Sequence, residues 1–142
     1  MIEEFSKNEI DEVMKIWLNT NIDSHNFIPK DYWIKNYNVV KEQYIPIAIT
    51  FVYKENNGII AFISIIEASF IGALFVQKEH QRQGIGLKLI NHCKTLYPIL
   101  KVAVYVDNIN SADFYKRCGF EIKAEQDNES SGFKEYIMRW GK

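Results

Sequence analysis

The sequence is poor in cysteine: Cys93 and Cys118 are its only two, far apart and without metal-ligand spacing. Nothing in that pair calls for a metal, and two free thiols in a reducing cytoplasm are the economical reading. Long hydrophobic runs are missing as well, because charged or polar residues interrupt every candidate before it reaches membrane-spanning length. The start, Met1-Ile2-Glu3-Glu4-Phe5, has neither the basic end nor the apolar core of a signal peptide. An excess of one charge sign is also absent. The formal net charge is -1, whereas a general nucleic-acid binder would carry a basic footprint. Internal repeats, low-complexity tracts and linkers are lacking, so one domain over 1–142 is expected. Together these absences describe a cytoplasmic protein with neither a membrane nor a nucleic acid as partner.

What is present is ordinary for a folded chain. The 142 residues are 47% hydrophobic and 25% charged, enough to bury one core. Ser6-Lys7-Asn8-Glu9 has the pattern of a capping box. Behind it Ile10, Val13, Met14 and Trp17 recur at helical spacing, which predicts a helix to about Asn19. After a loop through His25 to Pro29, a second helix is expected from Lys30, with Trp33, Tyr37, Val40 and Tyr44 on one face. Strand chemistry follows at Pro46–Tyr53, Ile59–Ile66 and Phe70–Val76. Asn56-Asn57-Gly58 marks a tight hairpin turn between the first two. A helix from Gly84 to about Tyr97 turns Ile85, Leu89, Ile90 and Cys93 inward. It leads to a strand at Leu100–Val106, a short helix at Asn110–Cys118, and strands near Phe120–Glu125 and Phe133–Trp140. A weakly patterned first strand at Met1–Phe5 completes the order. The fold class is therefore α/β (α+β), a mixed sheet covered by helices.

Two segments carry chemistry. In the first, a buried strand ends, a polar loop follows, and Gln81-Arg82-Gln83-Gly84-Ile85-Gly86 opens an amphipathic helix. Glycines at 84 and 86 remove the Cβ atoms that keep a ligand from the backbone. The free amides of a helix start form a concave anion site, reinforced by the helix dipole. A pyrophosphate fits there, with Arg82 and Lys78 as candidates for charge pairing. The segment is neither a P-loop nor a dinucleotide fingerprint, since it has no Gly-Lys-Ser/Thr ending and lacks the first Rossmann glycine. The second segment, Tyr105 to Phe120, again runs strand, turn, short helix, glycine. Asn108 sits where the strand stops and offers an amide to a ligand. Asn110 or Ser111 is expected to cap the helix, and Tyr115 falls about one turn into it, where its phenol points back at the strand end.

With these residues in view, the sequence resembles the GNAT acetyltransferase superfamily. Gln81-x-x-Gly84-x-Gly86 matches that family's acyl-CoA signature, and Asn108…Ala112…Phe114-Tyr115…Gly119-Phe120 matches its second block. The stretches His25-x-Phe27-Ile28 and Tyr32-Trp33 are similar to the small bacterial YiaC/YjaB-type members. The resemblance implies a GNAT-like mixed, mostly antiparallel sheet with two splayed parallel strands and about four helices. It also implies acetyl-CoA as cosubstrate, with no metal. Leu74, Phe75 and Val76 would bond the pantetheine arm through their backbone, and an amide near Phe75 or Val76 would polarise the thioester. Gln81, Arg82, Gln83, Gly84, Ile85 and Gly86 would take the pyrophosphate. Asn108, Ser111, Ala112 and Phe114 would line the channel, and Tyr115 would be the general acid to the departing thiolate.

For the base that deprotonates the amine, the resemblance offers two candidates. Glu67 lies near where many members place a carboxylate, and His25 lies in a loop that borders the acceptor site. His25, Phe27 and Phe70 are the expected acceptor contacts, while Trp33 is better read as core. The expected function is acetyl transfer to a primary amine by direct attack: a protein lysine, a protein N-terminus or a small metabolite. The alternative from another class is a non-catalytic acyl-CoA-binding sensor or regulatory module. Tyr115 and Asn108 favour the enzyme, since a pure binder needs no proton donor there. The sequence is compatible with a monomer or a homodimer.

Overall fold

The computed structural model describes residues 1–56 and 58–141. Its elements run β1 (Ile2–Glu4), α1 (Ile10–Ser24), α2 (Lys30–Val39), β2 (Ile49–Glu55), β3 (Gly58–Ile66), β4 (Phe70–Val76), α3 (Ile85–Leu96), β5 (Ile99–Tyr105), α4 (Ile109–Arg117), β6 (Glu121–Asp127) and β7 (Lys134–Gly141). The strands form one sheet in the order β1-β2-β3-β4-β5-β7-β6. Every described pairing is antiparallel except β4 with β5. This is the mixed architecture expected from the sequence, with the weak first strand present at the β2 edge.

Strand periodicity divides the core into two layers. Val52 and Phe62 are register partners, and both turn towards α1 and α2, joining Val13, Met14, Trp17 and Trp33. Their neighbours Phe51, Ile63, Tyr53 and Ala61 turn to the other face and meet Ile85, Leu89, Ile90 and Cys93 of α3. These four α3 side chains are at most 3% exposed, on the face their spacing indicated.

Several boundaries differ from expectation, each for a local reason. The capping box is real, with the Ser6 amide donating to Glu9 Oε1 at 2.9 Å, but it opens a single 3-10 turn that leads into α1. Helix α1 continues past Asn19 to Ser24, because Thr20 and Asn21 are buried and the Asn21 amide donates to the Trp17 carbonyl at 2.9 Å. Beyond Val39 the chain widens its bond pattern into a π-turn over Val40–Tyr44. An i→i+5 turn takes up more residues than an α-turn, so the side-chain phase slips; Tyr44 ends up 49% exposed instead of facing the core. Pro46 lies in a 3-10 turn at Ile45–Ile47, and β2 starts only at Ile49. Asn57 of the expected hairpin turn lies outside the described residues; its flanks are joined as a hairpin, with Glu55 paired to Gly58 and Asn56 at φ 51.

The feature that positions the site is a fork. Parallel β4 and β5 are in register only at Phe70↔Lys101 and Ile71↔Val102. On the β3 side Ile65 pairs Ile71 and Ser64 pairs Ala73. Gly72 is thus an extra residue on β4, a bulge of the kind that bends a strand away from its neighbour. Among the described residues, the β5-facing edge of β4 beyond it has no ladder partner.

Candidate active site

A cleft of about 970 Å³ opens in this fork. Its walls are the end of α1 at Ser24–Asn26, Leu74 to Val76 of β4, the Gln81–Leu87 turn and the face of α4 that carries Phe114 and Tyr115. The turn is built by three local interactions. Gln81 Nε2 donates to the Val76 carbonyl at 2.9 Å, which folds the loop back on the strand it leaves. Arg82 at φ 65 and Gly84 at φ 80 are both left-handed, and such alternation points successive amides to one side. Lys88 N–H is the donor to Gly84 O at 3.0 Å, so Ile85, Gly86 and Leu87 keep amides without an intrahelical acceptor. The two glycines have different reasons. A Cβ on Gly84 would meet nothing within 4 Å, and the need there is the positive φ; a Cβ on Gly86 would sit 3.1 Å from the Phe114 ring.

Asn108, and not Asn110 or Ser111, caps α4. Its Oδ1 accepts from the Ser111 amide at 3.2 Å because Asn108 is the last non-helical residue before the turn. Gly119 at φ 93 closes the same helix, with Phe120 N–H donating to the Tyr115 carbonyl at 3.0 Å. Between these caps the Tyr115 ring is clasped edge-on by Phe114 and Phe120, each with centroids 5.2 Å away. Burial pushes its phenol well above the ordinary tyrosine range, so it stays protonated. Among the described residues its hydroxyl has no hydrogen-bond partner, yet Tyr115 lines the cleft.

His25 also lines the cleft, but its ring is committed on both sides. Nδ1 lies 3.0 Å from Asn21 Oδ1 and Nε2 lies 3.0 Å from Asn108 Nδ2. Trp33 stacks on it at 5.4 Å. Desolvation lowers its pKa to about 4. Because the folded-state value lies below the unfolded value of 6.5, the stability this site contributes is full above pH 6.5 and is lost as pH falls towards 4. The expected loss is on the order of 3 kcal/mol. Urea unfolding at pH 7 and pH 4.5 tests this: wild type should lose more stability than His25→Phe over that interval, and parallel losses would refute it.

The structure does not gather every expected residue. Glu67 stands exposed at φ 54 in the β3–β4 turn, at the closed end of the fork and away from the cleft lining. Its side chain is not among those that line the cleft. Phe70 pairs with Lys101 at the fork vertex, about 13 Å along the strand from Leu74, and it too is absent from the lining. Phe27 packs between His25, Tyr105 and Phe133 at 5.4–5.8 Å. Gln83 and Ala112 do not line the cleft, and Lys78 turns outward to Asp23 at 3.4 Å. Arg82 remains as a cleft-lining cation. From the sequence alone, Asn21, Tyr32 and Tyr105 have no site role. Tyr32 Oη meets Ser130 Oγ at 2.6 Å and Tyr105 Oη donates to Ser131 Oγ at 3.0 Å, joining the β6–β7 loop to α2 and to β5. Only Asn21 had a readable signal, one helical turn before His25.

Residues 46–122 match the model of the acetyltransferase (GNAT) domain, and these span more than half of the chain. The chain belongs to the GNAT acetyltransferase family. It is 30% identical over 140 residues to the peptidyl-lysine N-acetyltransferase YiaC of Escherichia coli K12, covering 99% of this chain and 96% of that protein. It is 25% identical to the peptidyl-lysine N-acetyltransferase YjaB of Salmonella typhimurium, over 87% and 85% of the two chains. In fold it is similar to apo YjaB from Escherichia coli, at TM-score 0.85 with 22% identity, covering 100% and 98% of the chains. It is also similar to the PaiA N-acetyltransferase of Thermoplasma acidophilum in complex with coenzyme A, at TM-score 0.84 with 16% identity over 100% and 98%.

Membership of this family makes the protein an acetyl-CoA-dependent N-acetyltransferase. The residues present fit that cosubstrate: a strand edge without a ladder partner among the described residues runs to a left-handed turn that lines the cleft and opens a helix whose first amides have no intrahelical acceptor. Among the described residues no group of three or more His, Cys, Asp or Glu is placed to hold a metal. No described helix is long and apolar enough to cross a membrane.

Proposed function

We propose that this protein acetylates lysine side chains of proteins in the cytoplasm. The donor half of this reading is carried by the forked β4–β5 edge that ends on the Gln81–Gly86 turn. Bound acetyl-CoA supplies the activated acetyl group. Leu74, Phe75 and Val76 pair their open backbone edge with the pantetheine amides, and an amide at Phe75 or Val76 stabilises the carbonyl oxygen as charge builds on it. Gln81 to Gly86 hold the pyrophosphate, with Arg82 adding charge. Asn108, Ser111 and Phe114 flank the arm. Tyr115 gives its proton to sulfur as the carbon–sulfur bond breaks and the carbon–nitrogen bond forms. The amine attacks neutral, its surplus proton leaving to water, and water returns a proton to the Tyr115 phenolate before the next turnover.

The acceptor half rests on the likeness to YiaC across 99% of this chain, that protein being a peptidyl-lysine N-acetyltransferase. Its test is acetyl transfer to a panel of lysine peptides, peptide N-termini and spermidine, followed by thiol release and mass spectrometry. Lysine ε-amines should be preferred by at least about tenfold in kcat/KM, the discrimination that pocket shape supplies. Preference for spermidine or α-amines would overturn the lysine assignment. Tight acetyl-CoA binding without transfer to any amine would overturn catalysis in favour of a binding module.

A further inference from the structure

We propose that His25 is a positioning residue: it holds the Asn108 side-chain amide at the mouth of the fork and joins the end of α1 to the start of α4. The inference rests on the reading of the fork as the donor channel.

The hydrogen-bond directions follow from the partners. Asn108 Oδ1 is occupied by the Ser111 N–H at 3.2 Å, so the group that Asn108 turns to His25 is its NH2. An NH2 can only donate, and His25 Nε2 must therefore be the acceptor, without a proton. Nδ1 then carries the hydrogen and donates to Asn21 Oδ1, whose own NH2 donates to the Trp17 carbonyl at 2.9 Å. The chain Trp17–Asn21–His25–Asn108–Ser111 is thus satisfied at each link by one tautomer of a neutral imidazole. Asn21, His25 and Asn108 are 2%, 8% and 8% exposed, so water does not compete for these bonds.

The surroundings do not support a cationic ring. Facing it are Asn21 from α1, Phe27 from the loop after it, Trp33 from α2, Tyr105 from β5, and Asn108. None of these carries charge at neutral pH, the Tyr105 phenol being pushed up to about 12 by burial. A base taking a proton from an amine would need a free nitrogen and a counter-charge, and His25 has neither. What it does have is a second hold on Asn108. The cap alone fixes the amide oxygen; the bond to Nε2 fixes one amide hydrogen and leaves the other to meet a ligand in the cleft.

Three measurements test this. In wild type, imidazole 15N shifts, with His25 assigned by the signal missing in His25→Gln, should show an Nδ1–H tautomer that stays neutral down to about pH 5. An Nε2–H tautomer, or titration near 6.5, would overturn the proposal without any acceptor being known. In Asn108→Asp the cap survives, but an oxygen now faces Nε2, so His25 should become protonated on both nitrogens at neutral pH; an unchanged tautomer would again overturn it. In kinetics, His25→Phe should raise the acetyl-CoA KM about tenfold, the scale of one lost buried hydrogen bond, with kcat within about threefold. His25→Gln, whose amide oxygen can reach the Nε2 position, should restore most of that KM. A general base predicts the opposite: kcat falling by about 10²-fold or more in both variants, since neither can take the proton. Failure of the lysine-acceptor reading would leave the NMR outcomes untouched, so the two fail separately.

Discussion

Tyr115→Phe is expected to lower kcat by about 10²- to 10³-fold, within the range for loss of a positioned general acid, while acetyl-CoA binding and the fold persist. The separation is possible because of how Tyr115 is held. Its ring is packed by Phe114 and Phe120, and phenylalanine keeps those contacts. Its hydroxyl has no partner among the described residues, so its removal orphans no other polar group. Alanine would be a poorer probe, because the cavity it leaves in a buried site costs about 3–5 kcal/mol for an aromatic and confounds activity with stability. The high pKa of the buried phenol also has a consequence for the rate profile. Tyr115 stays protonated through the working range, so wild type should show no alkaline limb from its ionisation. Desolvation raises the proton affinity of a buried thiolate as well, which keeps donation favourable at the moment of departure. Thiol release under saturating acetyl-CoA, paired with thermal unfolding, provides the measurement. If kcat stays within about threefold of wild type, Tyr115 is packing and the leaving group is protonated by other means.

The parts of this site that were legible in the sequence are those whose geometry is local. Ile85, Leu89, Ile90 and Cys93 mark the buried face of α3 through spacing alone, and the Gln81–Gly86 turn follows from where the strand stops and the glycines begin. Tyr115 could be placed because it lies in a short helix bounded by Asn108 and Gly119. What was hidden depends on register between distant segments. Glu67 is visibly a turn residue, but which end of the fork that turn occupies is decided by the two parallel pairs Phe70↔Lys101 and Ile71↔Val102. His25 reads as a free loop imidazole only while α1 is taken to end at Asn19. With the helix extended to Ser24, Asn21 comes one turn below it and the bond to Asn108, 83 residues on, becomes possible. Asn, Thr and Ser are weak helix formers, and burial of Thr20 and Asn21 outweighs that preference here. The hydroxyl pairs of Tyr32 and Tyr105 with Ser130 and Ser131 leave no sequence trace at all.

The second large effect separates the two glycines of the pyrophosphate turn. Gly86→Val is expected to raise the acetyl-CoA KM about 10- to 100-fold, corresponding to an overpacking cost of about 1–3 kcal/mol placed on the cleft wall. The Cβ alone would stand 3.1 Å from Phe114 Cζ, 3.4 Å from Cε1 and 4.0 Å from Val76 Cγ2, and the branched methyls add to that wedge. The start of α3, the end of β4 and the face of α4 meet there, so Phe114 must move, and it is the ring that flanks Tyr115. Gly84→Ala should behave differently. Its Cβ meets nothing within 4 Å, and the cost is the left-handed φ of 80, about 1–2 kcal/mol of folding stability. The substitution should therefore lower the thermal midpoint by a few degrees, roughly 2–8 °C per kcal/mol, while the KM rises less than in Gly86→Val. Steady-state kinetics with varied acetyl-CoA, beside thermal unfolding of both variants, decide the matter. A KM raised more by Gly84→Ala than by Gly86→Val would place the close ligand approach at Gly84. The contrast between conformational need at 84 and close packing at 86 would then be wrong.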